Sequence, residues 1–309
     1  MFLVCGEALF DFFLESEAGP AAATYAARAG GSPFNVAIGL ARLGNASGLL
    51  TGLSDDLLGQ RLGEVLAAEG VSTAYAIPTH RPTTLSLVGL DTHGVPAYQF
   101  YDNGSADTGI AEADLPELGP EISGLHFGSY SLAATPVAGA FAALALANRH
   151  RFISVDPNVR PNVEPDMDVW RTRLAALFPL ADVVKISAED HELLWPGRSS
   201  EQIAADLIGK GVTLAVVTQG GEAALGWTSS GLHATAVPPR VEVIDTVGAG
   251  DTFQAALLAR LLRGSDPQAA LAGLEADGLA AILGYAARAA AITCSRRGAD
   301  LPRAAELTD

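Results

Sequence analysis

Asp245-Thr246-Val247-Gly248-Ala249-Gly250-Asp251-Thr252-Phe253 is the stretch on which the fold turns. Before it, Val241, Val243 and Ile244 read as the end of a strand; after it, Phe253, Leu257, Leu258, Leu261 and Leu262 recur at helical spacing. A turn of small residues therefore opens a long buried helix with an aspartate in its first turn. The first N–H groups of a helix lack partners within it and carry the positive end of the helix dipole, so they bind an anion. Gly248, Ala249 and Gly250 let a phosphate approach that backbone without meeting a bulky side chain. Asp251 then sits beside the anion, where a base suits an attacking hydroxyl, and the dipole favours its ionised form. Taken alone, such a turn is also simply how a helix starts.

Other phosphate-binding loops do not fit. No G-x-x-x-x-G-K-[ST] occurs: Gly209-Lys210 has Ala204 in place of the first glycine and no Ser or Thr after it. Gly248 to Phe253 lacks the third glycine of a dinucleotide fingerprint and lies far from the first strand. His191-Glu192-Leu193-Leu194-Trp195 begins like a zinc-protease helix but ends in Trp, and no G-x-S-x-G elbow is present.

The rest of the chain reads as alternating strands and helices. Apolar runs at Phe2–Cys5, 46–53, 125–127, Phe152–Asp156, 183–186 and Leu214–Thr218 are separated by helical segments at 33–43, 57–69, 136–148, 170–178, 189–194 and 201–210. That series implies a largely parallel sheet with helices on both faces. Ser32 is the expected N-cap of the first helix, with Pro33 in its first turn. Two departures stand out. Residues 15–30 are poor in large apolar groups and do not read as core, and residues 83–101 alternate, turn at 91–96 and return, as a β-hairpin would.

In a parallel sheet, ligands sit beyond the carboxyl ends of the strands. Asp11, Asp156-Pro157-Asn158-Val159-Arg160-Pro161, Ser187 with Glu189 and Asp190, and Thr218-Gln219-Gly220-Gly221 all fall at such ends. The net charge of -16 argues against nucleic acid and anionic membrane surfaces as partners, since both need clustered Lys and Arg. Two cysteines, Cys5 and Cys294, make neither a disulfide framework nor a zinc site. With no basic leader and no apolar run approaching ~18 residues, a soluble cytoplasmic protein is expected.

D-T-V-G-A-G-D resembles the second signature of the PfkB, or ribokinase-like, family of carbohydrate kinases. Gly30-Gly31-Ser32-Pro33-Phe34-Asn35-Val36-Ala37 resembles the first, and the two stand in the family's order. The resemblance covers nearly the whole chain. It implies one ribokinase-like α/β domain over residues 1–309, with a small β lid from segments around 12–30 and 80–106 that closes over the sugar and is a candidate homodimer contact. It implies transfer of the ATP γ-phosphoryl group to a sugar hydroxyl, with Mg²⁺ neutralising charge and K⁺ as a candidate monovalent cation.

Residue by residue, the resemblance makes Asp251 the base and the amides of Gly248, Ala249, Gly250 and Asp251 the anion hole. It gives the sugar to Asp11, Gly30, Gly31, Asn35 and Arg160, and the nucleotide to Lys185, Ser187, Thr218 and Gly220. Ala223 replaces the last glycine of the family's T-x-G-x-x-G element. The family's N-x-x-E element, which organises the metal, is replaced by Ser187-Ala188-Glu189-Asp190, leaving Asp190 and its neighbour Glu189 as metal candidates. G-E-A-L-F-D at 6–11, S-P-F-N-V-A, F-G-S-Y-S at 127–131 and D-P-N-V-R-P are most similar to the fructokinases of the family. Asp102 departs, since many of those carry Arg there. A 2-keto-3-deoxygluconate or ribokinase-type kinase, and a non-catalytic sugar- or nucleotide-binding regulator, are the alternatives.

Overall fold

Strand β1 (Phe2–Cys5) is buried along its whole length because both of its faces are covered. Phe2 and Val4 point into one apolar cluster, Leu3 and Cys5 into another. This two-sided burial explains why the parallel strands read as continuous apolar runs rather than alternating ones. The computed structural model describes residues 1–17, 19–90, 96–264 and 266–307.

From β1 the chain runs through β2 (Leu9–Glu17), β3 (Ala23–Gly30), α1 (Ser32–Arg42), β4 (Ser47–Leu50), β5 (Gly52–Ser54) and α2 (Leu57–Ala68). Then come β6 (Ile77–Thr79), β7 (Thr84–Leu90), β8 (Pro96–Tyr101), β9 (Gly124–Gly128), α3 (Val137–Ala147), β10 (Phe152–Asp156) and α4 (Met167–Leu177). The last part is β11 (Val183–Ser187), α5 (Ala188–Leu194), α6 (Ser200–Gly209), β12 (Leu214–Thr218), β13 (Ala224–Thr228), β14 (His233–Ala236), α7 (Ala249–Leu261), α8 (Pro267–Ala272) and α9 (Ala276–Cys294).

The main sheet has the order β14-β13-β12-β11-β10-β9-β1-β4. Its strands are parallel from β4 to β12, and β13 and β14 continue it antiparallel. Helices α1, α2, α7 and α9 pack on one face through Phe34, Leu40, Leu66, Leu257, Leu258 and Leu283. Helices α3, α4 and α6 cover the other through Phe141, Trp170, Leu174 and Leu207. A second sheet, β3-β2-β7-β8, stands at the strand ends and is built from β2 and β3 and from the hairpin of β7 and β8. Of the expected hairpin turn at 91–96, residues 91–95 lie outside the described residues and Pro96 opens β8.

Three readings of the sequence need correction. No strand precedes the Gly248 turn: Val243 and Ile244 are exposed in irregular chain, and the N–H groups of Ile244 and Asp245 both go to the carbonyl of Cys294. The last strands, β13 and β14, end well before it at Ala236, and in them small buried residues alternate with half-buried ones in β13 and exposed ones in β14. Ser32 is not a cap but the first helical residue; Gly31, at φ +107°, holds the N-cap position. Residues 46–53 form two strands, because β5 leaves the main sheet to pair with β6. Residues 23–30, expected outside the core and within the small β segment around 12–30, form the mostly exposed strand β3, to which β2 supplies the apolar side chains.

Candidate active site

The two quoted glycine-rich segments meet at one hydrogen bond. Asn35, buried on α1, donates from Nδ2 to Oδ2 of Asp251 at 2.8 Å. Asp251 stands in the first turn of α7, buried, behind the left-handed N-cap Gly248 (φ +77°). Ala299 packs so closely there that a Cβ on Gly248 would fall 2.6 Å from its own Cβ. Asp245 ties the same turn down from outside. Its Oδ1 accepts from the N–H of Val247 at 3.0 Å and its Oδ2 from that of Gly298 at 2.8 Å. Of the four amides expected to meet an anion, that of Ala249 donates to the carbonyl of Thr246 at 3.2 Å, which leaves those of Gly248, Gly250 and Asp251 at the helix start.

The helix dipole suggests an ionised Asp251, but burial acts the other way and is larger. Desolvation pushes its carboxyl above the ordinary range, against the pull of neighbouring Ser32, Asn35, Lys185 and Arg160. Proton transfer is easier to a base raised in this way than to a strongly acidic one.

On the small sheet, Asp11 lies on β2 between Arg28 of β3 and Ser86 of β7. Burial raises its carboxyl to about 6, with Ser86 and Arg160 opposing and Asp251 adding to the rise. Its Oδ2 would stand 2.7 Å from a Cβ at Gly30, and a Cβ at Gly31 would meet the carbonyl of Glu7 at 2.8 Å. Gly31, at φ +107° against backbone, therefore needs glycine, whereas a Cβ at Gly30 would displace the Asp11 carboxylate. Arg160 follows β10 and donates from Nη1 to the carbonyl of Val159 at 3.0 Å, while its charge is felt at both Asp11 and Asp251.

At the ends of β10, β11 and β12, the register places Ser187 opposite Thr218. Lys185 Nζ is buried and paired with Asp156 Oδ2 at 2.8 Å. It also lies 3.3 Å from where a Cβ at Gly250 would stand, so the ammonium sits directly under the glycine turn. Ser187 caps α5, its Oγ accepting from the N–H of Asp190 at 3.0 Å. Gly220 (φ +56°) is exposed in the β12–β13 turn, beyond the half-buried Thr218.

Asp190 and Glu189 differ sharply. Asp190 is buried and spends Oδ1 on the N–H of Val159 at 2.9 Å, whereas Glu189 is exposed. Among the described residues, no group of three or more His, Cys, Asp or Glu could hold a metal ion. A cation held mainly by nucleotide phosphates and water needs only one or two protein carboxylates. Asp190, with its charge felt at Lys185 and Asp156, fits that donor set.

Two acids at this site carried no role in the sequence reading. Asp156 stood in the quoted D-P-N-V-R-P run, but its pairing with Lys185 is visible only in space. Glu7, in G-E-A-L-F-D, is buried behind Gly31, and desolvation raises its carboxyl to about 8. An acid directly after an apolar strand was the one available signal.

Comparisons with known proteins point to one family. The model of the pfkB family carbohydrate kinases matches residues 1–305. A fructokinase of Rhizobium leguminosarum bv. trifolii is 40% identical over 262 residues, 84% of this chain and 79% of that protein. The crystal structure of a fructokinase with bound ATP from Xylella fastidiosa superposes with a TM-score of 0.91 at 26% identity, covering 99% of this chain and 96% of that one. A Vibrio cholerae O395 fructokinase in a fructose-, ADP- and calcium-bound form gives 0.84 at 27% identity, covering 99% and 98%. No helix among the described residues is long and apolar enough to cross a membrane.

Proposed function

The chain belongs to the pfkB family of carbohydrate kinases, and from that premise we propose that it transfers the γ-phosphoryl group of ATP to a hydroxyl of fructose. The observation that carries the reading is the Asn35–Asp251 hydrogen bond. It brings the two glycine-rich segments together, close enough to Asp11 and Lys185 for their charges to act with Asp251. A regulator that only bound sugar or nucleotide would not need a buried carboxylate aimed between them.

In this reading Asp11 and Asn35, with the close backbone at Gly30 and Gly31, hold the sugar by hydrogen bonds that an analogue lacking the hydroxyl cannot make. Asp251 orients the attacking hydroxyl and takes its proton as the bond to phosphorus forms. The N–H groups of Gly248, Gly250 and Asp251 receive the charge that grows on the transferred group, and Arg160 and Lys185 add fixed positive charge. Asp156 keeps Lys185 in place. Thr218 and Gly220 line the nucleotide's approach, next to Ser187. Asp190, rather than exposed Glu189, would hold Mg²⁺, which neutralises phosphate charge when bound; K⁺ is the candidate monovalent cation.

The test is ADP release measured across fructose, 2-keto-3-deoxygluconate, ribose, glucose and adenosine. Fructose is expected to give the highest kcat/KM. Another acceptor about ten-fold better, ~1.4 kcal/mol of transition-state preference, would replace it.

A further inference from the structure

The F-G-S-Y-S run is singled out by sequence yet has no part in the chemistry above. In the structure it follows β9 as a tight turn, Ser129–Leu132, that opens at Ser129 in the left-handed region (φ +60°). A non-glycine residue held there is strained, and such strain persists only where the surroundings fix it. What fixes it lies on two sides. Ser129 meets the carboxyl of Glu7, and the Tyr130 hydroxyl donates to Oδ2 of Asp107 at 2.5 Å.

Asp107 is the hub. Its Oδ1 accepts from Thr84 Oγ1 at 2.5 Å and from Ser105 Oγ at 2.7 Å. Ser105 Oγ is 2.9 Å from Thr108 Oγ1, and both hydroxyls also lie within hydrogen-bond distance of the carbonyl of Asp102. Asp107, Thr84, Ser105, Thr108 and Tyr130 are all buried. Thr84 is the first residue of the β7–β8 hairpin, and Asp102–Thr108 is the chain leaving it. One carboxylate thus clamps both roots of the hairpin to a tyrosine of the main body. Phe100 of β8 adds an edge-on contact with the Tyr130 ring, centroids 5.7 Å apart.

The clamp reaches the site through the strand register. Thr84 pairs with Leu9, so Ser86 lies opposite Asp11 and beside its carboxyl. A shift at the hairpin root moves β7, and β7 carries β2. We propose that Asp107 is a positioning residue for the reaction: by tying Thr84 and Ser105 to Tyr130, it sets where β2 holds Asp11 relative to Asp251. The inference rests on the assignment of Asp11 to the sugar.

Asp107→Asn keeps the volume but turns one acceptor into a donor facing a hydroxyl. Tyr130→Phe removes a single donor and is the variant to read if Asp107→Asn does not fold. In each, the fructose KM should rise by roughly ten-fold while the ATP KM stays within about two-fold, the split expected when only sugar-side positioning is lost. In an Asp11→Asn background, Tyr130→Phe should add no further rise, because the group being positioned is already gone. A fructose KM within about two-fold of wild type in folded variants, or a lower Tm and kcat at unchanged fructose KM, overturns the inference. Wild-type protein that releases no ADP with fructose overturns the functional reading, and this inference with it.

Discussion

Asp251 is buried and Asp11 half-buried; both carboxylates are raised above their ordinary range, yet they face different partners, and that separates their expected losses. Asp251→Asn can keep its contact with Asn35 but cannot take a proton. Its kcat should fall on the order of 10²–10⁴, with sugar affinity by calorimetry little changed. Asp11→Asn should lose sugar binding first. A kcat for Asp251→Asn within about three-fold of wild type would remove it as the base. Because burial raises Asp251, the acidic limb of the kcat profile should lie above the ordinary carboxylate range. Glu7 makes a different prediction. Its carboxyl is raised from 4.5 to about 8, by burial first and by Asp107, with Ser129 and Arg160 pulling down. Across that window the folded chain binds more protons than the unfolded one, so stability is full below pH 4.5 and is lost as pH rises to about 8. Glu7→Gln stays neutral, so its Tm should gain on wild type as pH rises through this range. Parallel Tm curves would show that Glu7 is not the group responsible.

At the scale of elements, the glycine turn before α7 is the most sensitive. Gly248 has φ +77° and no room for a Cβ beside Ala299, so Gly248→Ala combines roughly 1–2 kcal/mol of left-handed strain with a clash. The turn should shift, raising the ATP KM and lowering kcat while sugar affinity by calorimetry holds. An unmoved ATP KM would mean that these amides do not receive the phosphates. The same element shows what the sequence carries. Phe152–Asp156 and Leu214–Thr218 were readable to the residue because strands buried on both faces are uninterrupted apolar runs. Ala23–Gly30 was not, since an outward-facing strand of alanines carries no apolar period of its own. Val241, Val243 and Ile244 misled in the opposite sense: β-branched residues favour strands only where a partner strand exists, and here the backbone bonds to the end of α9. The glycines and aspartates of the candidate site were named from short motifs that resemble the family's signatures. The Asp107 clamp could not, as its donors at 84, 105 and 130 come together only when the small sheet docks.

For the whole molecule, the small sheet leaves β3 as an edge, and Tyr25 on β3 and Tyr101 on β8 are both exposed. An open edge is a template for pairing with a second copy. Light scattering should give twice the mass of the chain, and Tyr25→Lys should return a monomer; a monomeric wild type would remove this contact. The Asn35–Asp251 bond, finally, bears on biosynthesis. Its partners are 216 positions apart, and β1 lies between β4 and β9 in the sheet, so an early strand of the chain is held by later ones. In the proposed mechanism, Asp11 and Asn35 emerge from the ribosome long before Asp251. Translation halted before α7 should therefore leave a product without turnover, so that ADP release reports that synthesis has passed α7.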